Sequence, residues 1–125
     1  MNKLNQLLAA ALVMLSLNSY AGNCATLSGV YTIGKNNGAD FSSVNDAVNA
    51  AQCGGVSGPV TFRIENGNYY ERVVMSSITG TSTVNTITFE SKSGYDRDVV
   101  ISYSASSSTS IMNGTNHVSF RQITI

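Results

Sequence analysis

A change of hydrophobic period between residues 41 and 64 constrains the fold more than any other feature. From Phe41 to Cys53, apolar side chains recur at three- and four-residue spacings, which is the period of an amphipathic helix. From Val60 to Ile64 they alternate with polar side chains, as in a strand with one buried face. The sequence therefore predicts a short helix that a Gly/Pro turn connects to a strand.

Both ends of this helix carry boundary signals. Ser42 or Ser43 offers a hydroxyl to a free N–H of the first turn, and Asp46 places negative charge near the positive end of the helix dipole. Gly54-Gly55 supplies a left-handed stop. The helix is therefore predicted to be a separate element with defined ends.

The remainder of the exported chain is predicted to consist of strands and turns. A short strand is expected at residues 29–34, and further β-rich segments lie at 72–75, 86–90, 98–103 and 118–125. They recur roughly every 10 to 15 residues, so stacked parallel strands or an antiparallel sandwich or barrel would fit. The hydrophobic phase slips at Arg121-Gln122 without a turn dipeptide, which indicates a corner between stacked strands and favours the parallel arrangement.

Several segments of the chain resemble the opening of pectinesterase-like, right-handed parallel β-helix proteins. The segments are 38–48, 60–64 and 67–73. Cys24, Leu27–Gly34 and Cys53–Val60 are similar to the mature start of large secreted β-helix proteins of Bacteroidetes-type bacteria. The resemblance implies an all-β fold, a right-handed parallel β-helix (solenoid) with an N-terminal capping α-helix. Because Ile125 stops in mid-strand, the solenoid is expected to be incomplete at its C-terminus.

The first 21 residues are predicted to be a signal peptide. Lys3 gives a basic start, and the apolar run from Leu7 to Leu17 is too short to span a bilayer. Cleavage is expected after Ala21, which leaves an N-terminal cap at 22–59 and the first coils of the β-helix at 60–125. The protein is expected to be secreted or at the cell surface, with no transmembrane segment after cleavage.

Cys24 and Cys53 are the two cysteines of the chain. In an exported protein the default is a disulfide, which the loop-entropy model values at roughly 3 kcal/mol. Lipidation of Cys24 is the alternative, although Asn23 stands where a lipoprotein signal has a small residue.

The composition indicates one domain and excludes some partners. Charged residues make up 11% of the 125 residues and the net charge is zero, which gives no electrostatic reason to expect nucleic acid or an anionic membrane surface as a partner. The many Ser, Thr, Asn and Gly residues suit strands and turns.

The sequence predicts no catalytic residues, no cofactor site and no metal site. Glu65 and Glu71 are a carboxylate pair of the kind that glycoside hydrolysis uses, but their spacing across a turn favours structural roles. Asp96 and Asp98 are too few oxygen ligands for Ca²⁺. His117 has no nucleophile or acid near it in sequence.

Tyr70 and Tyr95 lie beside predicted turns and are the candidates for stacking on sugar rings. The predicted partner is a polysaccharide or a cell-surface glycan. Two functions fit: a secreted or cell-surface scaffold, non-catalytic in this segment, that is adhesive or contacts carbohydrate, or the N-terminal fragment of a carbohydrate-active enzyme. The enzyme would be of the pectinesterase or polysaccharide-lyase type, with its catalytic residues downstream. The sequence gives no indication of the oligomeric state.

Overall fold

A computed structural model describes residues 24–104 and 109–125. The predicted signal peptide at 1–21 therefore lies outside the described residues. The described elements, in chain order, are β1 (Leu27–Ile33), α1 (Val44–Gly54), β2 (Val56–Ile64), β3 (Gly67–Tyr70), β4 (Val73–Met75), β5 (Ile87–Ser91), β6 (Val99–Ser102), β7 (Ser110–Met112) and β8 (Val118–Arg121).

The strands form three parallel sheets. One sheet has four strands in the order β1-β2-β5-β8, and two smaller sheets contain β3-β6 and β4-β7. Consecutive strands from β2 onward belong to different sheets, so the chain visits all three sheets before it returns to pair with an earlier strand. Parallel pairing needs long connections, and here the strands of the other two sheets lie within those connections.

The prediction of an all-β right-handed parallel β-helix is wrong. The described residues have a mixed α/β content, and their separate sheets of four, two and two strands do not form a closed solenoid. Polar stretches at 76–86 and 92–98 form turns and irregular backbone rather than strands, because they lack the alternation that would bury one face. Helix α1 packs against β4 and β1 and contributes its apolar face to the same core as the strands.

The core is built around a column of phenylalanines on the four-stranded sheet. Parallel register places Phe62 opposite Phe89, and Phe89 opposite Phe120. Their ring centroids are 4.8 Å and 5.1 Å apart, with the rings stacked. Because side chains of a strand alternate between faces, the same register buries Val60, Ile64 and Ile87 on the inner face.

Helix α1 has the ends that the sequence indicated. Ser43 is the N-cap, and its hydroxyl accepts a hydrogen bond from the Asp46 N–H at 3.0 Å. Gly55 ends the helix with φ of 70° and donates its N–H to the Ala51 carbonyl at 2.8 Å, a conformation that favours glycine. Phe41 lies outside the helix, where it forms an isolated bridge with Ile33.

The strand predictions hold best where alternation is long. The structure extends the first strand to Leu27 and extends the strand around Phe62 back to Val56. The corner expected at Arg121-Gln122 is present, since β8 ends at Arg121 and Gln122 has φ of 53°. Beyond it, Thr124 pairs with Val100 of β6. Strands β3 and β7, of four and three residues, were not predicted.

The predicted disulfide is confirmed. Cys24 and Cys53 are bonded to each other with their Cα atoms 5.6 Å apart, and the described residues contain no free cysteine. The bond ties the chain before β1 to the last turn of α1, next to a backbone hydrogen bond of 2.9 Å from Leu27 to Gly55.

Within 24–104 and 109–125, no helix is long and apolar enough to cross a membrane.

Candidate functional site

An open polar cleft of about 370 Å³ lies at the carboxyl ends of β1, β2 and β5. These ends coincide because parallel register aligns Ile33 with Ile64, and Ile64 with Ser91. Each strand is followed by polar residues, and these line the cleft: Asn36, Glu65, Asn66, Lys92 and Ser93. The cleft thus combines a carboxylate, an ammonium group, two amides and a hydroxyl.

The Glu65 carboxylate is the centre of this cleft. Its Oε2 accepts a hydrogen bond from Asn36 Nδ2 at 2.9 Å, and its Oε1 lies 3.8 Å from Lys92 Nζ. The side chain lies close over the backbone at Gly34, where an added Cβ would collide with the carboxylate. Gly34 therefore leaves the space that the Glu65 head group occupies.

The backbone of Glu65 is also fixed. Its N–H donates to the Ile33 carbonyl at 2.8 Å, and its own carbonyl accepts from the Tyr69 hydroxyl at 2.7 Å. Because main chain and side chain are both held, the carboxylate has a defined position at the floor of the cleft.

Tyr69 is expected to make the protein lose stability as the pH becomes alkaline. Burial of its ring raises the pKa of the hydroxyl above 10.0, and the negative charges of Glu65 and Glu71 raise it further. Folding thus favours the neutral phenol. The resulting contribution to the free energy of unfolding is fully present below the ordinary pKa of tyrosine and is lost as pH rises through the raised pKa of Tyr69. Tyr69→Phe should remove this alkaline loss and cost about 1 kcal/mol at neutral pH through the lost hydrogen bond.

The measurement is the free energy of unfolding in urea at a series of pH values up to and beyond about 10. Tyr95→Phe is the matched control, since the Tyr95 side chain is exposed. Identical slopes against pH for Tyr69→Phe and the unmodified protein would contradict the expectation.

Glu71 binds the N-terminus of helix α1 and so has a different role from Glu65. Its Oε2 accepts from the Val44 N–H at 3.0 Å and its Oε1 from the Asn45 N–H at 2.9 Å. The Asn45 side chain in turn donates to the Arg72 carbonyl at 3.1 Å. A carboxylate here satisfies two free N–H groups and complements the helix dipole.

Removing this carboxylate should destabilise the fold. We expect Glu71→Ala to lower the free energy of unfolding by about 1–3 kcal/mol, because two charge-assisted hydrogen bonds at a partly buried helix end are lost. Glu71→Gln should lose less, since the amide oxygen still accepts. Urea denaturation measures both variants, with Glu90→Ala as the control on the outer face of β5. An unchanged urea midpoint for Glu71→Ala would show that Glu71 does not stabilise the N-terminus of α1.

Tyr70 forms an exposed aromatic pair with Tyr103. Their ring centroids lie 5.8 Å apart with the rings tilted by 39°, and the Tyr70 side chain is 63% exposed. The Tyr70 hydroxyl contacts the Ser104 hydroxyl and accepts from the Ser104 N–H at 3.2 Å. Alternation along β3 buries Tyr69 and leaves Tyr70 outside. The result is a fixed aromatic surface that faces solvent.

Tyr95 lies beside the cleft. Its N–H donates to the Ser93 hydroxyl at 3.3 Å, and Ser93 lines the cleft while donating to Asp98 Oδ2 at 2.7 Å. The Tyr95 side chain is 70% exposed. Of the two tyrosines singled out in the sequence, Tyr70 therefore belongs to the tyrosine pair and Tyr95 to the loop that contributes Ser93 to the cleft.

The backbone carbonyls of two other candidates from the sequence, His117 and Asp96, accept hydrogen bonds from residues far away in the chain. His117 has φ of 62°, and its carbonyl accepts from the Ile87 N–H. The Asp96 carbonyl accepts from the Thr124 hydroxyl. No three His, Cys, Asp or Glu side chains come together to hold a metal ion in the part of the chain that the structure describes.

Sequence reasoning missed Asn36 and Lys92 as partners of Glu65. Both directly follow or lie just beyond a strand end, and a correct parallel register would have placed them beside Glu65. Without the register, nothing in their own neighbourhood distinguishes them from other loop residues.

Comparison with protein-family models, with curated proteins and with solved structures finds no match. The resemblance to pectinesterase-like proteins stays a prediction.

Proposed function

We propose that this protein is an exported scaffold that contacts carbohydrate at the cell surface or outside the cell and performs no catalysis in this segment. The disulfide supports export, since such bonds persist mainly in oxidising compartments. The choice of carbohydrate depends on one observation, the exposed pair of Tyr70 and Tyr103.

An aromatic pair held in this way suits a sugar ring. The C–H face of a sugar is apolar enough to stack on tyrosine, while its hydroxyls remain in water. The hydrogen bond from the Ser104 N–H restrains the Tyr70 hydroxyl before a ligand arrives, so less side-chain entropy is lost on binding. The near-neutral surface imposes no charge on the ligand.

Affinity electrophoresis in gels that contain soluble pectin, xylan, mannan or β-glucan tests this function. We expect at least one polymer to retard the unmodified protein. Tyr70→Ala should weaken that retardation by about 1 kcal/mol, or roughly five-fold in apparent affinity. Tyr70→Phe keeps the ring and should bind nearly as well.

Val30→Ala is the matched control, because Val30 is 66% exposed on β1 and makes no aromatic pair. Equal retardation of Tyr70→Ala and the unmodified protein would remove Tyr70 from the binding surface. Absence of retardation by all four polymers would count against carbohydrate contact through this surface.

A further inference from the structure

We propose that the cleft around Glu65 is a second binding site, which takes one neutral sugar residue through a hydroxyl that hydrogen-bonds to both Glu65 and Lys92. The choice of a sugar as the source of that hydroxyl rests on the proposed function. The geometry of the cleft is independent of the Tyr70 surface.

The first step is that the Glu65–Lys92 ion pair is too long for a direct hydrogen bond. The separation of 3.8 Å between Glu65 Oε1 and Lys92 Nζ is longer than the about 2.7–2.9 Å of a charge-assisted hydrogen bond. Lys92 carries three donors, and within the described residues its ammonium group makes no hydrogen bond. A hydroxyl is both donor and acceptor, so one hydroxyl can accept from Lys92 and donate to Glu65.

The second step is that Glu65 is prepared for a ligand. Asn36 occupies Oε2, Gly34 leaves room for the head group, and only 19% of the side chain is exposed. Fixed polar groups on a cleft floor bind hydroxyls with little reorganisation. Glu65 Oε1 therefore has a defined position from which it can accept a hydrogen bond from a ligand hydroxyl.

The third step is the charge balance, which selects a neutral ligand. Lys92 opposes Glu65, and the Arg63 guanidinium donates to the Lys92 carbonyl at 3.5 Å. The Asp98 carboxylate accepts from Ser93 on the rim. Among the described residues that line the cleft, Glu65 is the one acidic and Lys92 the one basic side chain, so the cleft has no net charge to attract a uronate or an amine.

The fourth step is the aromatic rim. Tyr95 follows Ser93 by two residues, donates its backbone N–H to the Ser93 hydroxyl and is 70% exposed. A sugar whose hydroxyl reaches Glu65 can place its C–H face against this ring. A carboxylate that accepts from a hydroxyl and an exposed aromatic ring nearby in the chain suit a single pyranose.

The test is NMR titration of the full chain with methyl glucoside, methyl galactoside and methyl mannoside. Saturable shifts should appear at the Asn36 and Asn66 side-chain amides and at the backbone amides of Lys92 and Ser93. Glycerol supplies hydroxyls without a ring face, and galacturonate supplies a negative charge. Both should bind more weakly than the best hexoside.

Three variants test how Glu65, Lys92 and Gly34 each contribute to hexoside binding. Glu65→Gln and Lys92→Met should each weaken the hexoside by roughly ten-fold or more, because each removes a hydrogen bond to a charged group. Gly34→Ala should do the same by moving the carboxylate while leaving every charge in place. Glu90→Gln, a carboxylate outside the cleft, is the matched control and should bind normally.

Each outcome bears on one site. Shifts at the cleft that persist in Tyr70→Ala support this second site even if the Tyr70 surface binds no polymer. If no hexoside gives saturable shifts at these amides, the proposal is wrong. Equal affinity for Glu65→Gln and the unmodified protein would overturn it as well.

Discussion

Phe89→Ala should lower the free energy of unfolding by about 4–5 kcal/mol. Removal of a buried phenylalanine side chain costs about 3–5 kcal/mol through lost burial and the cavity that remains. Phe89 also stacks on Phe62 on one side and on Phe120 on the other, which places the expected cost in the upper part of that range. Since small domains are stable by about 5–15 kcal/mol, this loss is a large fraction of the total stability.

Urea denaturation measures this effect, and Phe89→Leu keeps most of the volume and should cost much less. Phe120→Ala should also cost less, because Phe120 has a ring neighbour on one side and is only half-buried. Val84→Ala, at an exposed turn residue, should change nothing. If Phe89→Ala and Phe120→Ala were equally destabilising, the column of phenylalanines would not be the centre of the core.

The second large effect is expected from the disulfide. The double variant Cys24→Ser/Cys53→Ser should be less stable by about 3–4 kcal/mol, because the bond joins residues that are 29 apart in sequence and removes entropy from the unfolded chain. Leu27 and the start of β1 should lose order first, since the bond holds them beside the end of α1.

A reductant provides the control for this prediction. It should lower the unfolding midpoint of the unmodified protein to that of the double variant and leave the double variant unchanged. Thiol titration of the folded, unreduced protein should find no free thiol. Two reactive thiols in that sample would show that Cys24 and Cys53 are not bonded in solution.

The sequence predicted local features well because their causes are local. The ends of α1 follow from a serine hydroxyl and a glycine at φ of 70°, which act within one helical turn. The disulfide followed from the export signal and a count of two cysteines. The long alternation around Phe62 likewise required only neighbouring residues.

The arrangement of the sheets and the contacts of Glu65 could not be predicted, because both depend on the register between strands that are distant in sequence. The number of sheets and their separation are set by which strands pair across the chain, and strands as short as β7 have too few residues to show a period. The fold class was therefore wrong. For the same reason Glu65 was considered with Glu71, its neighbour in sequence, rather than with Asn36 and Lys92.

The return of the chain to each sheet has a consequence for how fast this protein folds. Pairing partners such as Phe62 and Phe89, or Phe89 and Phe120, are about thirty residues apart in sequence, so closing each pair costs loop entropy before any packing is gained. Folding should therefore be slow for a chain of this length. Oxidation of Cys24 and Cys53 before folding holds β1 near β2 in the unfolded chain, which should accelerate the first pairing step more than the later ones.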